Sequence, residues 1–139
     1  SQYLRNLATH LFHSYQVDSS RIQLRIEAEE VHLNINTAIP CGLIVNELVS
    51  NALKHAFPEG RSGSLDLDLR RVAGDGYVLR VKDDGVGFPE TLDFRKTETL
   101  GMQIVSTLVD QINGRLALER QGGTGFTLEF NELPQKIRS

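Results

Sequence analysis

A chain of 139 residues with 40% hydrophobic content suits one compact domain with its own core better than two. Its formal net charge of −3, with the cations scattered, supplies no field for nucleic acid or an anionic membrane surface. Cys41 is the only cysteine, which excludes an internal disulfide, and the longest apolar run, Ala38 to Val45, contains Pro40 and Gly42 and falls far short of a membrane span.

The N-terminus has no basic segment followed by a hydrophobic one, so no secretion signal is visible and a soluble, cytoplasmic domain is expected. Because the chain opens on Ser1 rather than Met, a piece cut from a longer protein, itself soluble or membrane-anchored, is expected. Residues 1–139 read as one domain, with 1–20 forming a first helix and its connection and 134–139 a tail.

Leu4, Leu7, Ala8, Leu11 and Phe12 recur at helical spacing and predict a helix from Tyr3 to Tyr15. Ile22, Leu24 and Ile26, then Val31, Leu33 and Ile35, alternate with polar residues and predict two short half-buried strands. Thr37 is the expected cap of a long helix with Pro40 in its first turn, ending near Phe57-Pro58 where proline cannot continue it. Leu65, Leu67 and Leu69 and then Tyr77, Leu79 and Val81 predict a hairpin turning at Gly74-Asp75-Gly76. A polar, loop-like stretch from Phe88 to Thr99 leads to a helix carrying Met102, Val105, Leu108 and Val109 that stops at Asn113-Gly114. Leu116 and Leu118, then Phe126, Leu128 and Phe130, predict a last strand pair joined through Gly122-Gly123-Thr124-Gly125. Without regular βαβ alternation, this mixture predicts an α+β, two-layer α/β sandwich: a mixed β-sheet with helices packed on one face.

Four segments carry chemistry. At about 100° per residue, Glu47, Asn51 and Lys54 fall within an arc of about 60°, opposite Val45, Val49, Ala52, Leu53 and Ala56. An amide oxygen there suits Mg²⁺, which takes only one or two protein ligands, and a lysine one turn on can meet phosphate; a solvent-facing polar stripe has the same pattern. Period two puts Asp83 on the inward face with Tyr77, Leu79 and Val81, where a carboxylate must find a donor or suffer desolvation; the exocyclic amine of adenine is such a donor. Asp84-Gly85-Val86-Gly87 then offers two residues without a Cβ, either an ordinary Asp-Gly turn or a close approach for a flat ligand. Thr99-Leu100-Gly101-Met102 opens a helix, where free N–H groups favour phosphate, and Gly122 to Phe126 is either a tight hairpin or a backbone wall beside a ligand.

Taken as an ordered set, these segments resemble the nucleotide-binding boxes of histidine-kinase ATP-binding domains. Asn46-Glu47-Leu48-Val49-Ser50-Asn51-Ala52-Leu53-Lys54-His55 looks like the N box, and Asp83-Asp84-Gly85-Val86-Gly87 like the G1 box. Thr99-Leu100-Gly101-Met102 looks like a shortened G2 box, and Gly123-Thr124-Gly125-Phe126 like the G3 segment. The resemblance covers nearly the whole chain from the first helix to Phe130. It implies the Bergerat fold shared with gyrase-type ATPases, Hsp90-like chaperones and mismatch-repair ATPases, in its short-lid histidine-kinase branch.

Carried across, the resemblance implies ATP and Mg²⁺ as cofactors, with Asn51 on the metal and Asp83 on the adenine amine. Gly85 and Gly87 would shape the base pocket, Leu100 and Gly101 would offer N–H groups to phosphate, and Thr124 would bond on the adenine side. Lys54 and His55 would lie near the phosphates, with Glu47 and Lys54 the catalytic pair. The implied partner is a helical dimerisation and phosphoacceptor domain of the same parent protein, with a response-regulator receiver domain served indirectly. The glycine-rich first half of the usual G2 box is missing, there is no tryptophan, and no phosphoacceptor histidine motif is present. His10, His13 and His32 read as ordinary surface or packing residues. The expected activity is transfer of the γ-phosphoryl group of Mg-ATP to a histidine outside this chain; the alternatives are an ATPase with Glu47 as base and a nucleotide-gated, anti-sigma-type binding module.

Overall fold

The computed structural model describes residues 2–14, 21–29, 33–55, 62–72, 76–85, 100–119 and 122–131. In chain order they form α1 (Gln2–Ser14), β1 (Ile22–Ala28), α2 (Ile35–His55), β2 (Gly63–Arg71), β3 (Gly76–Asp83), α3 (Leu100–Gln111), β4 (Arg115–Glu119) and β5 (Thr124–Asn131). The strands make one five-stranded sheet in the order β1-β2-β3-β5-β4. Strands β1 and β2 run parallel because the chain between them is taken up by α2, while the other neighbours are antiparallel.

Register aligns the inward side chains in rows across the sheet. Ile26, Leu67, Val81, Phe126 and Leu118 form one row, and Ala28, Leu69, Leu79, Leu128 and Leu116 the next. Tyr77 opposes Phe130 at the far end, their rings stacked with centroids 5.5 Å apart. Against these rows α2 lays Cys41, Ile44, Val45, Leu48, Val49 and Ala52, and α3 lays Val105 and Val109, all buried. Each fully buried aliphatic side chain contributes about 1.5–3 kcal/mol, so these rows fix the register as well as the stability. The α+β sandwich with a mixed sheet is the architecture expected from sequence. The other sheet face is polar, with Asp66 opposite Lys82 and Asp68 opposite Arg80, and Glu119 bonded to Arg80 at 2.7 Å.

Three local expectations are corrected. The helix cap is Asn34, not Thr37: its side-chain Oδ1 accepts the Thr37 N–H at 3.2 Å and its carbonyl accepts the Ala38 N–H at 2.8 Å. Leu33 and Asn34 are outside any strand and Ile35 opens α2, so the strand expected over 31–35 is not formed by its described residues; Val31 and His32 lie outside them. Pro40 consequently falls in the second turn, inside the helix, where it has no N–H to return to Asn36. The stop at Asn113-Gly114 holds as expected. Asn113 takes a left-handed φ of 54°, and Gly114 donates its N–H to the Val109 carbonyl at 2.9 Å while Asn113 donates to Asp110 at 3.0 Å. No described helix is long and apolar enough to cross a membrane.

Candidate functional site

The inward rows of the sheet are apolar until the last one, where Leu24 and Leu65 are followed by Asp83 and Thr124. Asp83 ends β3 and is buried. Its Oδ1 accepts the Gly85 N–H at 2.9 Å and the Thr124 N–H at 3.3 Å, so two backbone donors from different segments converge on one oxygen. Among the described residues nothing donates to the other oxygen, Oδ2. Burial pushes the Asp83 carboxyl above the ordinary carboxylate range, the two N–H groups pull it back, and the neighbouring Asp84 charge raises it further while Lys82 lowers it. A carboxylate in such a place can take one more donor from a ligand's edge.

Glycine shapes the wall beside it. Gly122 and Gly123 turn β4 into β5 with φ of 66° and 126°, and a Cβ on Gly123 would collide with the Asp83 carbonyl and lie 2.8 Å from the Asp84 Cα. This end of the turn is packed against the end of β3. Buried Thr124 follows it.

On α2, Glu47 and Asn51 are half-buried, flanked by buried Leu48, Val49, Ser50 and Ala52, and Asn51 is engaged by a neighbouring group. The first half of the same helix shows Ile35, Ile39 and Leu43 to solvent, and Glu47 and Asn51 continue that ridge at four-residue steps. α2 packs on α3 and reaches β3, the strand that carries Asp83. Leu100 and Gly101 open α3, at the end where a helix leaves its first N–H groups without an intrahelical acceptor. The side chains of Lys54, His55 and Leu100 are outside the described residues, and Gly87 and the 88–99 stretch lie wholly outside them. His10 and His13 are exposed on α1, as expected for surface residues.

One polar pairing escaped the sequence reading. Asp84 accepts the Ser64 N–H on Oδ1 at 2.7 Å and the Ser64 hydroxyl on Oδ2 at 3.3 Å, while its own N–H donates to the Ser64 carbonyl at 3.3 Å. The signal was available: opposite charges at Asp66 and Lys82, and at Asp68 and Arg80, select the hairpin register that sets Ser64 beside Asp84.

A mixed sheet under helices, with a buried acid at a strand end and a glycine turn against it, defines an ATP-binding domain of the Bergerat type. The family model described as histidine kinase-, DNA gyrase B-, and HSP90-like ATPase matches residues 36–137, and the chain belongs to that family. Blue-light-activated histidine kinase 2 of Erythrobacter litoralis is 38% identical over 104 residues, covering 75% of this chain and 30% of that kinase. The sensor histidine kinase PdtaS of Mycobacterium tuberculosis is 39% identical over 90 residues, 62% of this chain and 18% of its own length. The solved histidine kinase domain of the Erythrobacter litoralis EL346 blue-light activated kinase matches with a TM-score of 0.88 and 31% identity, over 94% of this chain and 60% of that one. The chain thus spans less than a third of the curated relatives' length, and what it shares with them is the ATP-binding catalytic domain of sensor histidine kinases.

Proposed function

We propose that this domain binds Mg-ATP with its base on Asp83 and transfers the γ-phosphoryl group to a histidine on a helical dimerisation domain of its parent protein, from which a receiver domain is served. The observation that supports the reading is the buried Asp83 carboxylate, steadied through Oδ1 by the Gly85 and Thr124 N–H groups; Oδ2 would take the adenine amine. Gly85, Gly87 and Thr124 complete the base pocket in this reading, and the N–H groups of Leu100 and Gly101 meet phosphate at the positive end of α3.

Phosphoryl transfer asks a protein mostly for positioning and charge neutralisation. The lone pair of one imidazole nitrogen forms the N–P bond as the bond from phosphorus to the bridging oxygen of ADP breaks, and ADP leaves. Glu47 accepts the hydrogen bond of the other ring N–H, holding the tautomer whose attacking nitrogen is unprotonated. Lys54 and His55 would offset charge on the phosphates, as the resemblance implies.

Asn51 is half-buried on the same helix as Glu47, and its side chain carries an amide oxygen. Such a donor fits Mg²⁺ arriving on nucleotide phosphates, which keeps most of its waters and needs only one or two protein ligands. When bound, the ion supplies charge neutralisation at the phosphates. Among the described residues no group of three His, Cys, Asp or Glu forms a cage that would hold a metal by itself. Asn51→Ala is expected to abolish the magnesium enhancement of nucleotide binding, measured by titrating ATP with and without the ion; a wild-type response removes the metal role.

Supplying the parent's helical acceptor domain with γ-labelled ATP tests the reading as a whole. Acid-labile, base-stable label on histidine is expected. Release of free phosphate alone would instead favour an ATPase using Glu47 on water, and intact ATP bound without either product would favour a nucleotide-gated binding module.

A further inference from the structure

We propose that the Ser64–Asp84 clasp is a positioning device for base recognition, so that Asp84, which need not touch the nucleotide, sets how strictly Asp83 demands an exocyclic amine. This rests on the assignment of Asp83 to the base. Asp83 sits in the last rung of the β2–β3 ladder, opposite Leu65, and the chain leaves the sheet immediately after it. A strand end is where pairing frays, and a carboxylate that must meet one amine needs its backbone held. Two anchors hold it from opposite sides. From β5, Gly123 abuts the Asp83 carbonyl and Thr124 donates to the carboxylate. From β2, the clasp ties the chain past the last rung: Asp84 takes both the N–H and the hydroxyl of Ser64 and returns its own N–H to the Ser64 carbonyl. The same residue leads into Gly85, whose N–H lies on Asp83 Oδ1, so movement of Asp84 moves both the carboxylate's backbone and one of its two donors.

The geometry separates this role from a charge effect. Asn at position 84 keeps an oxygen for the Ser64 N–H and removes the negative charge, whereas Ala removes both. Ser64→Ala removes only the hydroxyl bond and leaves the backbone N–H in place.

The experiment titrates Mg-ATP and the magnesium complex of purine riboside 5′-triphosphate, which differs from ATP only in lacking the 6-amino group, into the wild-type chain and its Asp84→Ala, Asp84→Asn, Ser64→Ala and Asp83→Asn variants. Wild-type protein is expected to prefer ATP, and Asp84→Ala to lower that preference about tenfold, the scale of one misaligned hydrogen bond to a charged group. Asp84→Asn should restore most of the preference. Ser64→Ala should shift it in the same direction as Asp84→Ala by about threefold, and it carries the test if Asp84→Ala melts. An unchanged preference in Asp84→Ala, or equal weakening of both nucleotides, overturns the positioning role while leaving Asp83 in place. A full preference in Asp83→Asn overturns the base assignment itself.

Discussion

Asp83 is costly to the free protein because of the role proposed for it. With its carboxyl raised by burial, the folded state holds the Asp83 proton more tightly than the unfolded chain does. The cost of ionising it is therefore absent below the unfolded carboxylate value, grows as pH rises, and is complete above the raised folded value. Asparagine at this position still accepts from Gly85 and Thr124 but carries no charge to desolvate. Asp83→Asn is thus expected to melt above wild type at neutral pH, with the gap closing as the pH drops toward the ordinary carboxylate range, and to lose the thermal shift given by Mg-ATP. A variant that melts lower at pH 7 than at pH 4, relative to wild type, would contradict this. The inward position of Asp83 was legible from alternation with Tyr77, Leu79 and Val81. Its two backbone donors were not, since the Thr124 N–H arrives from 41 residues away through a register that only the folded sheet defines.

At the scale of elements, the hairpin, the last strand pair and α3 with its Asn113 stop were readable because period and turn chemistry agree in them. The start of α2 was not. Val31, Leu33 and Ile35 alternate like a strand, but Asn34 offers both a side-chain and a main-chain oxygen to the next turn, and the helix propagates back to Ile35, which stays exposed. Thr37 is instead wholly buried beneath that turn. Asn34→Ala is expected to lower stability by about 1 kcal/mol and the melting temperature by roughly 3 to 6 °C, read by thermal denaturation. Thr37→Ser keeps the hydroxyl and is expected to cost only one buried methyl, about 1 kcal/mol or less.

For the whole molecule, the parallel β1–β2 pair, the α2 crossover and the β3–β5 pairing bring an acid and a glycine turn that are distant in sequence to the last row of one sheet. The fold class was legible because each box falls on a regular element or its end: an amide stripe on a helix, an acid at a strand end, a glycine at a helix start. The Ser64–Asp84 tie was harder to read, as it joins residues whose separate contexts look like a strand start and an Asp-Gly turn. The most direct measurement is calorimetric titration of Mg-ATP into the folded chain and its Asp83→Asn variant. Saturable one-to-one binding is expected in the wild type, weakened by about 1.5–3 kcal/mol, roughly ten- to a hundredfold, in the variant; absence of binding by the folded wild type, or equal affinity in the two, would contradict an adenine site built on Asp83.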